Sequence, residues 1–261
     1  MLEAENIKFN VGKSELIADI SLSLDEGLLH LIVGPNGAGK STLIKLLARL
    51  LRPASGRVKY DGRDIAQATD ADLAKCRAVL SQAIEIAFPL RVREVVMMGR
   101  YPHFGGRPGP ADEKIVDETM ALFDVTEFAT RNYQSLSGGE RQRVNFARVL
   151  AQLTTAPNAS RTKRYLFLDE PLTFLDIRHQ IGFMKMIRKL SADGDVITVG
   201  VVHDLNLAAR FADQLVMIDH GKLIATGTAK EVLTSERIHE VFGVNCTRVP
   251  VAETGMHLLF D

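Results

Sequence analysis

The sequence predicts an α/β protein: a mainly parallel sheet flanked by helices, an antiparallel β portion near its start, and an inserted helical segment. Three short apolar runs carry the first part of that expectation, "LLHLIV" (28–33), "YLFLD" (165–169) and "VITVGVV" (196–202). Each is followed by a polar or glycine-rich turn and then a helical pattern, and unbroken apolar runs suit strands buried on both faces of a parallel sheet. After the first run, Leu43, Leu46, Leu47, Leu50 and Leu51 recur at helical spacing, which predicts an amphipathic helix beginning near Gly39. "RPASGRVKYDGRDI" (52–65) reads as a turn and a hairpin, with Asp61-Gly62 at a tight bend. Residues 83–150 change character and read as helices, "VREVVMMGR", "DEKIVDETMALFDV" and "GERQRVNFARVLAQL", with the loop "YPHFGGRPGPAD" between the first two. The expected division is an α/β core over 1–82 and 151–227, a helical subdomain over 83–150, and a C-terminal extension over 228–261. In that extension a short helix precedes poorly patterned sequence. "TTAPNASRTK" (154–163) reads as an exposed loop, and its sequon Asn158-Ala159-Ser160 carries no meaning without a secretory signal.

Bulk numbers narrow the class. A chain of 261 residues with 46% apolar and 25% charged residues has ample material for a soluble core, as one domain or one domain with an insertion. Lysine plus arginine equals aspartate plus glutamate at 32 each, so no global field draws in nucleic acid or anionic lipid. Cys76 and Cys246 are far apart and lack a C-x-x-C partner, which argues against a disulfide framework or a zinc site. Met1 leads straight into "LEAENIKF", with no basic or apolar leader region, and no run approaches the roughly 20 apolar residues of a membrane helix. A soluble chain is expected, one that reaches a membrane only through a partner.

"GPNGAGKS" (34–41) matches G-x-x-x-x-G-K-[ST] between a strand and a helix. Glycines at Gly34, Gly37 and Gly39 let the backbone of Pro35, Asn36 and Ala38 curl so that successive N–H groups face an anion, and the helix N-terminus adds partial positive charge. Lys40 reaches the terminal phosphates, and Ser41, followed by Thr42, offers its hydroxyl to magnesium. "RYLFLDEP" then supplies a metal carboxylate in Asp169 and, next to it, Glu170 as proton acceptor for an attacking water. Nucleoside triphosphate hydrolysis is the chemistry these residues suit. A second glycine pair stands in "LSGGE" (136–140), where Ser137 and Glu140 form a capping box before a helix. By itself that segment reads as a helix entry as readily as a phosphate site.

Taken together, and with Gln82 in "VLSQ", Leu175-Asp176 and His203 in "VVHD", these segments resemble the nucleotide-binding subunit of an ATP-binding cassette (ABC) transporter. Six motifs in order cover about residues 5–225. The resemblance implies a P-loop NTPase fold, a RecA-like α/β core with an antiparallel β portion and a helical subdomain. It also implies head-to-tail pairing with a second copy, in which each ATP is held between one phosphate loop and the partner's signature at Ser137, Gly138 and Gly139. By position, Gln82 senses the γ-phosphate or the metal, Ser41, Gln82 and Asp169 attend Mg2+, Glu170 and His203 serve hydrolysis, and Asp176 sits at the dimer seam. The family places an aromatic ring for the adenine ahead of the phosphate loop. That position is Val11 here, with Phe9 two residues earlier.

A transport role requires separate membrane permease subunits, expected to dock on "AIEIAFPLRVREVVMMGR", where Phe88, Leu90, Val92, Val95, Val96 and Met97 exceed what one solvated helix face needs. Some of those side chains must be internal. The resemblance points to the importer branch handling iron chelates, heme and cobalamin, with heme the first choice and a ferric siderophore the second. An importer of that branch also implies a substrate-binding protein and a place on the cytoplasmic face of the inner membrane. A soluble ABC ATPase of DNA repair or the ribosome is the alternative class, and neither long coiled coils nor a second cassette is found. The remaining histidines, such as His30, His103 and His179, show no metal-ligand pairing.

Overall fold

The computed structural model describes residues 1–81, 86, 88–155, 163–192, 194–251 and 255–261. Gln82 and the sequon at Asn158 lie outside the described residues. The chain begins with β1 (Leu2–Val11), β2 (Ser14–Leu24), β3 (Leu29–Val33), α1 (Lys40–Leu47), β4 (Ser55–Tyr60) and β5 (Arg63–Asp64). Antiparallel pairing assembles four of these strands in the order β2-β1-β4-β5. The β4–β5 turn falls at Asp61 and Gly62, with φ of 50° and 74°. Two consecutive left-handed residues are what a tight hairpin demands, and Asp-Gly supplies them.

Next come α2 (Asp70–Cys76), β6 (Arg77–Leu80), α3 (Val92–Met98), α4 (Pro110–Leu122) and α5 (Gly138–Leu153). The last three pack on one another. The core resumes with β7 (Arg164–Asp169), α6 (Ile177–Ala192), β8 (Val196–Val201), α7 (Leu205–Phe211), β9 (Gln214–Asp219) and β10 (Lys222–Gly227). These strands complete a sheet of order β10-β9-β3-β8-β7-β6, parallel except for the antiparallel β10 edge.

The unbroken apolar runs are explained by two covered faces. Leu29, Leu31, Leu166 and Leu168 join a core shared with α5, α6 and α7. Their neighbours in sequence, Ile32, Tyr165 and Phe167, point the other way, into a core shared with α1 and the antiparallel sheet. Alternation survives in direction but not in polarity, because neither face meets water. The parallel neighbours β3, β8, β7 and β6 therefore end together, at Val33, Val201, Asp169 and Leu80, and ligands of open α/β sheets gather beyond such ends.

Several expectations need correction. The first helix stops at Leu47 rather than continuing through Leu50 and Leu51, because Arg49 turns left-handed at φ 52° and the Leu50 and Leu51 N–H groups both close on Lys45 O. Arg49 then donates to Ile65 O and Asp70, which fixes the departure of the chain. Helix α4 starts at Pro110, two residues early, with Pro at its first position and Asp112 Oδ2 accepting from Gly109 N–H at 2.9 Å. The extension is more ordered than expected: α8 (Ala229–Val232) and α9 (Ser235–Phe242) precede a hairpin of β11 (Cys246–Val251) and β12 (Gly255–Phe260). Asn206 on α7 holds that hairpin, donating to Leu258 O at 3.1 Å and accepting from Leu258 N–H at 2.7 Å. No helix of the described residues is long and apolar enough to cross a membrane.

Among the docking candidates, Val92, Val95 and Val96 are fully buried, whereas Phe88 is 72% exposed. The helical segment is locked by a buried ion pair: Arg100, 2% exposed, gives Nε to Asp112 Oδ1 at 3.0 Å and Nη1 to Ala151 O at 2.6 Å. Burial opposes ionisation of Asp112, yet the Gly109 N–H and the Arg100 guanidinium hold its carboxyl below the usual range. Stability from that group is present above the ordinary aspartate value of about 3.9 and is lost as pH falls through its lowered folded value. Arg100→Met is expected to lower the unfolding free energy by about 3–5 kcal/mol in urea denaturation at neutral pH. The penalty should shrink in acid, once Asp112 is protonated.

Candidate functional site

The loop after β3 is shaped by glycine. Gly39, at φ 97°, caps α1, and a Cβ there would lie 2.8 Å from Leu16 O and 3.0 Å from Ile17 Cδ1. Gly37, at φ 82°, has nothing within 4 Å of where its Cβ would be, so it opens onto free space. Backbone in this form aims N–H groups outward at the start of α1, an anion cradle by construction. Within it Lys40 is only 6% exposed and donates Nζ to Gly34 O at 2.8 Å and Pro35 O at 2.9 Å. Burial pushes its ammonium pKa down, while Glu170 and Asp169 pull it part of the way back.

Ser41 Oγ donates to Asp169 Oδ1 at 2.7 Å. Asp169 is 5% exposed, and burial raises its pKa against the opposing pull of Ser41 and Lys45. A hydroxyl and a carboxylate side by side are hard oxygen donors. Among the described residues no group of three or more His, Cys, Asp or Glu could cage a metal. That donor set fits a cation that keeps most of its waters and shares a triphosphate, as magnesium does.

Glu170, next along, holds φ at 51°, a left-handed conformation rare for a non-glycine residue. Thr173 stabilises the bend, its N–H and Oγ1 both reaching Glu170 O, at 3.4 and 3.1 Å. The carboxylate meets His203, just past the end of β8, with His203 Nε2 at 2.8 Å from Glu170 Oε1. Lys40, Ser41, Asp169, Glu170 and His203 are thus gathered at one end of the parallel strands.

The signature lies apart. Ser137 N–H donates to Glu140 Oε2 at 2.7 Å and Ser137 Oγ accepts from Glu140 N–H at 3.3 Å, the capping box in full. Among the described residues, no hydrogen bond or ion pair joins Ser137–Gly139 to the loop Gly34–Thr42. Asp176 is exposed and accepts from His179, both from its N–H and from its ring. Val11, at the end of β1, is 58% exposed, while Phe9 packs against the core. Two contacts escaped sequence reasoning. Gln142 Nε2 donates to Pro171 O at 2.8 Å, tying the signature helix to the bend after Glu170. Phe174, at φ 67°, covers Gly138, where a Cβ would sit 3.3 Å from the Phe174 Cβ. Only the aromatic in "PLTFLD" hinted at the second.

The two glycines are expected to respond differently to alanine. Gly37→Ala should fold, at a strain of about 1–2 kcal/mol, and lose roughly tenfold or more in nucleotide affinity. Gly39→Ala should unfold at a clearly lower temperature, because backbone must move. Thermal melts and nucleotide titration distinguish the two.

Comparison with known proteins agrees with this geometry. The ABC transporter family model matches residues 17–173. The "Hemin import ATP-binding protein HmuV" of Rhizobium meliloti is 44% identical, over 97% of this chain and 94% of that protein. The protein of the same name from Pseudomonas entomophila is 41% identical over 99% of both. In three dimensions, a dimeric ATP-binding cassette in a post-hydrolysis state, bound to ADP and Pi, has a TM-score of 0.75 at 25% identity, over 88% of this chain and 99% of that one. With the motifs, the strand order and near full-length relatives in agreement, this chain belongs to the ABC transporter family.

Proposed function

We propose that the chain is the ATP-hydrolysing subunit of a hemin importer, acting as a head-to-tail pair beneath separate membrane subunits. The observation that carries the chemistry is the 2.8 Å contact of His203 Nε2 with Glu170 Oε1, beside Asp169, Ser41 and the phosphate loop. Glu170 then takes the proton of the water that attacks the γ-phosphate, and His203 holds the carboxylate in position for it. Bound magnesium would neutralise charge on the β- and γ-phosphates, with Ser41 and Asp169 as its protein ligands. Lys40 leaves the carbonyls of Gly34 and Pro35 for the phosphate oxygens. Gln82 is assigned to the same γ-phosphate and its metal by the sequence motif alone.

One chain offers Ser137–Gly139 as a helix N-terminus without directing it at its own loop. A second copy turned about a twofold axis brings each signature to the other's triphosphate, with Asp176 at the seam. Residues 83–150 act as the movable helical part on the core of 1–82 and 151–227, and residues 228–261 form a C-terminal extension. The exposed Phe88 contributes to the docking surface for a permease. The cargo follows from relatives named for hemin import that match nearly the whole chain at 41–45% identity. Such a system places the chain on the cytoplasmic face of the inner membrane, fed by a substrate-binding protein outside.

Glu170→Gln is expected to bind ATP, to lose about 10²–10⁴ in turnover, and to accumulate as a dimer under ATP in size-exclusion chromatography. A monomer would count against the paired site. Ser137→Arg should abolish turnover while equilibrium binding of ATP stays near the wild-type value, since the damage falls on the partner's nucleotide. For the cargo, vesicles holding the chain with its neighbouring permease should take up hemin on ATP addition. Uptake of a ferric siderophore or cobalamin instead would overturn that assignment.

A further inference from the structure

A cleft unrelated to the phosphate loop opens between α5 and α6. It consists of two cavities of about 210 and 380 Å³ that share Leu122, Phe123, Phe146, Phe183 and Met186. Its floor is aromatic: the Phe146 and Phe183 rings stack at 3.9 Å and 12°, and Phe123 tilts against Phe146 at 5.6 Å.

The rim is cationic. Arg143 and Arg178 line one cavity and Lys189 the other, against the single acid Asp124. Among the described residues, none of these three cations is in a salt bridge; Arg143 donates to the carbonyls of Phe123 and Asp124 and lies over the Phe128 ring at 5.8 Å.

A third observation points to the same place. Gly182 lies in the interior of α6, lines the cleft, and has nothing within 4 Å of where its Cβ would project. Its backbone has no positive φ to require glycine. A glycine inside a helix costs about 1 kcal/mol relative to alanine, so neither conformation nor packing accounts for it. Its bare Cα faces open space in the cleft.

We propose that this cleft is a regulatory site for an amphipathic carboxylate, an apolar body seated on Phe146 and Phe183 with its acidic groups at Arg143, Arg178 and Lys189. A porphyrin with carboxylate side chains and a long-chain fatty acid share that chemistry. An apolar pocket with a few polar groups at one edge is the usual form of a small-molecule site. Its walls give occupancy a consequence. Helix α5 begins at the signature, after Ser137, and α6 begins directly after Asp176, so a ligand between them holds the two dimer-facing elements in one relative position. Occupancy slows ATP turnover without competing for the phosphate loop. The regulatory effect rests on the ATPase reading above, whereas binding does not.

The test uses the full chain with ATP and magnesium and three probes, hemin, metal-free protoporphyrin IX and oleate, with binding read by isothermal titration calorimetry and porphyrin absorbance and turnover by phosphate release. Saturable binding of at least one probe is expected, with turnover falling about fivefold or more at saturation and KM for ATP unchanged. Which probe binds distinguishes porphyrin from acyl chain, and protoporphyrin against hemin shows whether the metal matters. Gly182→Trp, which fills the cleft from an open position, and the double variant Arg178→Glu with Lys189→Glu should keep basal turnover and weaken binding about tenfold or more. No saturable binding, or binding unchanged in both variants, overturns the proposal. Loss of ATP-driven dimerisation in Gly182→Trp also overturns it, because the cleft would then be a subunit contact. A wild-type chain that binds the probe but releases no phosphate leaves the site standing and removes the ATPase reading instead.

Discussion

A hydrogen bond from Ser41 to Asp169 joins positions 128 residues apart in sequence, and the arrangement of the whole core serves to bring those two oxygens to 2.7 Å. It can form only if β3 and β7 lie in one parallel sheet with their carboxyl ends level. That in turn requires β8 between them and helices on both faces to hide the apolar side chains of all three. Parallel strands need crossover connections, and those connections are where α1 and α6 come from. Ser41 and Asp169, the glutamate after them and the histidine just past the end of β8 are thus neighbours because the strands are. No loop has to search for them.

The second consequence of this sheet is incompleteness. On the ATPase reading, the groups at its carboxyl end serve one side of a triphosphate. A helix N-terminus suited to the other side exists in the same chain, yet its serine is occupied with its own capping box and makes no bond to the loop. The Gln142–Pro171 bond and the cover of Phe174 on Gly138 tie that helix start to the bend that carries Glu170. The start of α5 and the bend that carries Glu170 are therefore in direct contact across the boundary between the helical segment and the core. A strained backbone at Glu170 is affordable there because Thr173 and His203 hold it from two directions.

Much of this was legible in advance, and the reason is that parallel strands and phosphate loops leave contiguous marks. The runs at 28–33, 165–169 and 196–202 proved to be the strands whose ends carry the site, and "GPNGAGKS" sat between a strand and a helix as its spacing required. The elements that were misread depend on partners distant in sequence. Helix α1 stops at Leu47 because Arg49 finds the carbonyl of Ile65, and nothing in the leucine spacing records that. The terminal hairpin exists because Asn206 offers it both a donor and an acceptor. Strands β9 and β10 were overlooked although "QLVMID" and "KLIATG" are ordinary strands. The place of β9 beside β3, with β10 outside it, is a property of topology rather than pattern. Phe174 was invisible as a neighbour of Gly138 for the same reason.

The position of Lys40 has a consequence for the cycle as a whole. Its ammonium already holds two carbonyl oxygens of its own loop, at 2.8 and 2.9 Å. Arrival of a triphosphate is therefore an exchange of oxygen ligands, with little net gain in hydrogen bonds for the lysine itself. On the ATPase reading, a loop that stays folded and satisfied between turnovers trades tight grip for quick release.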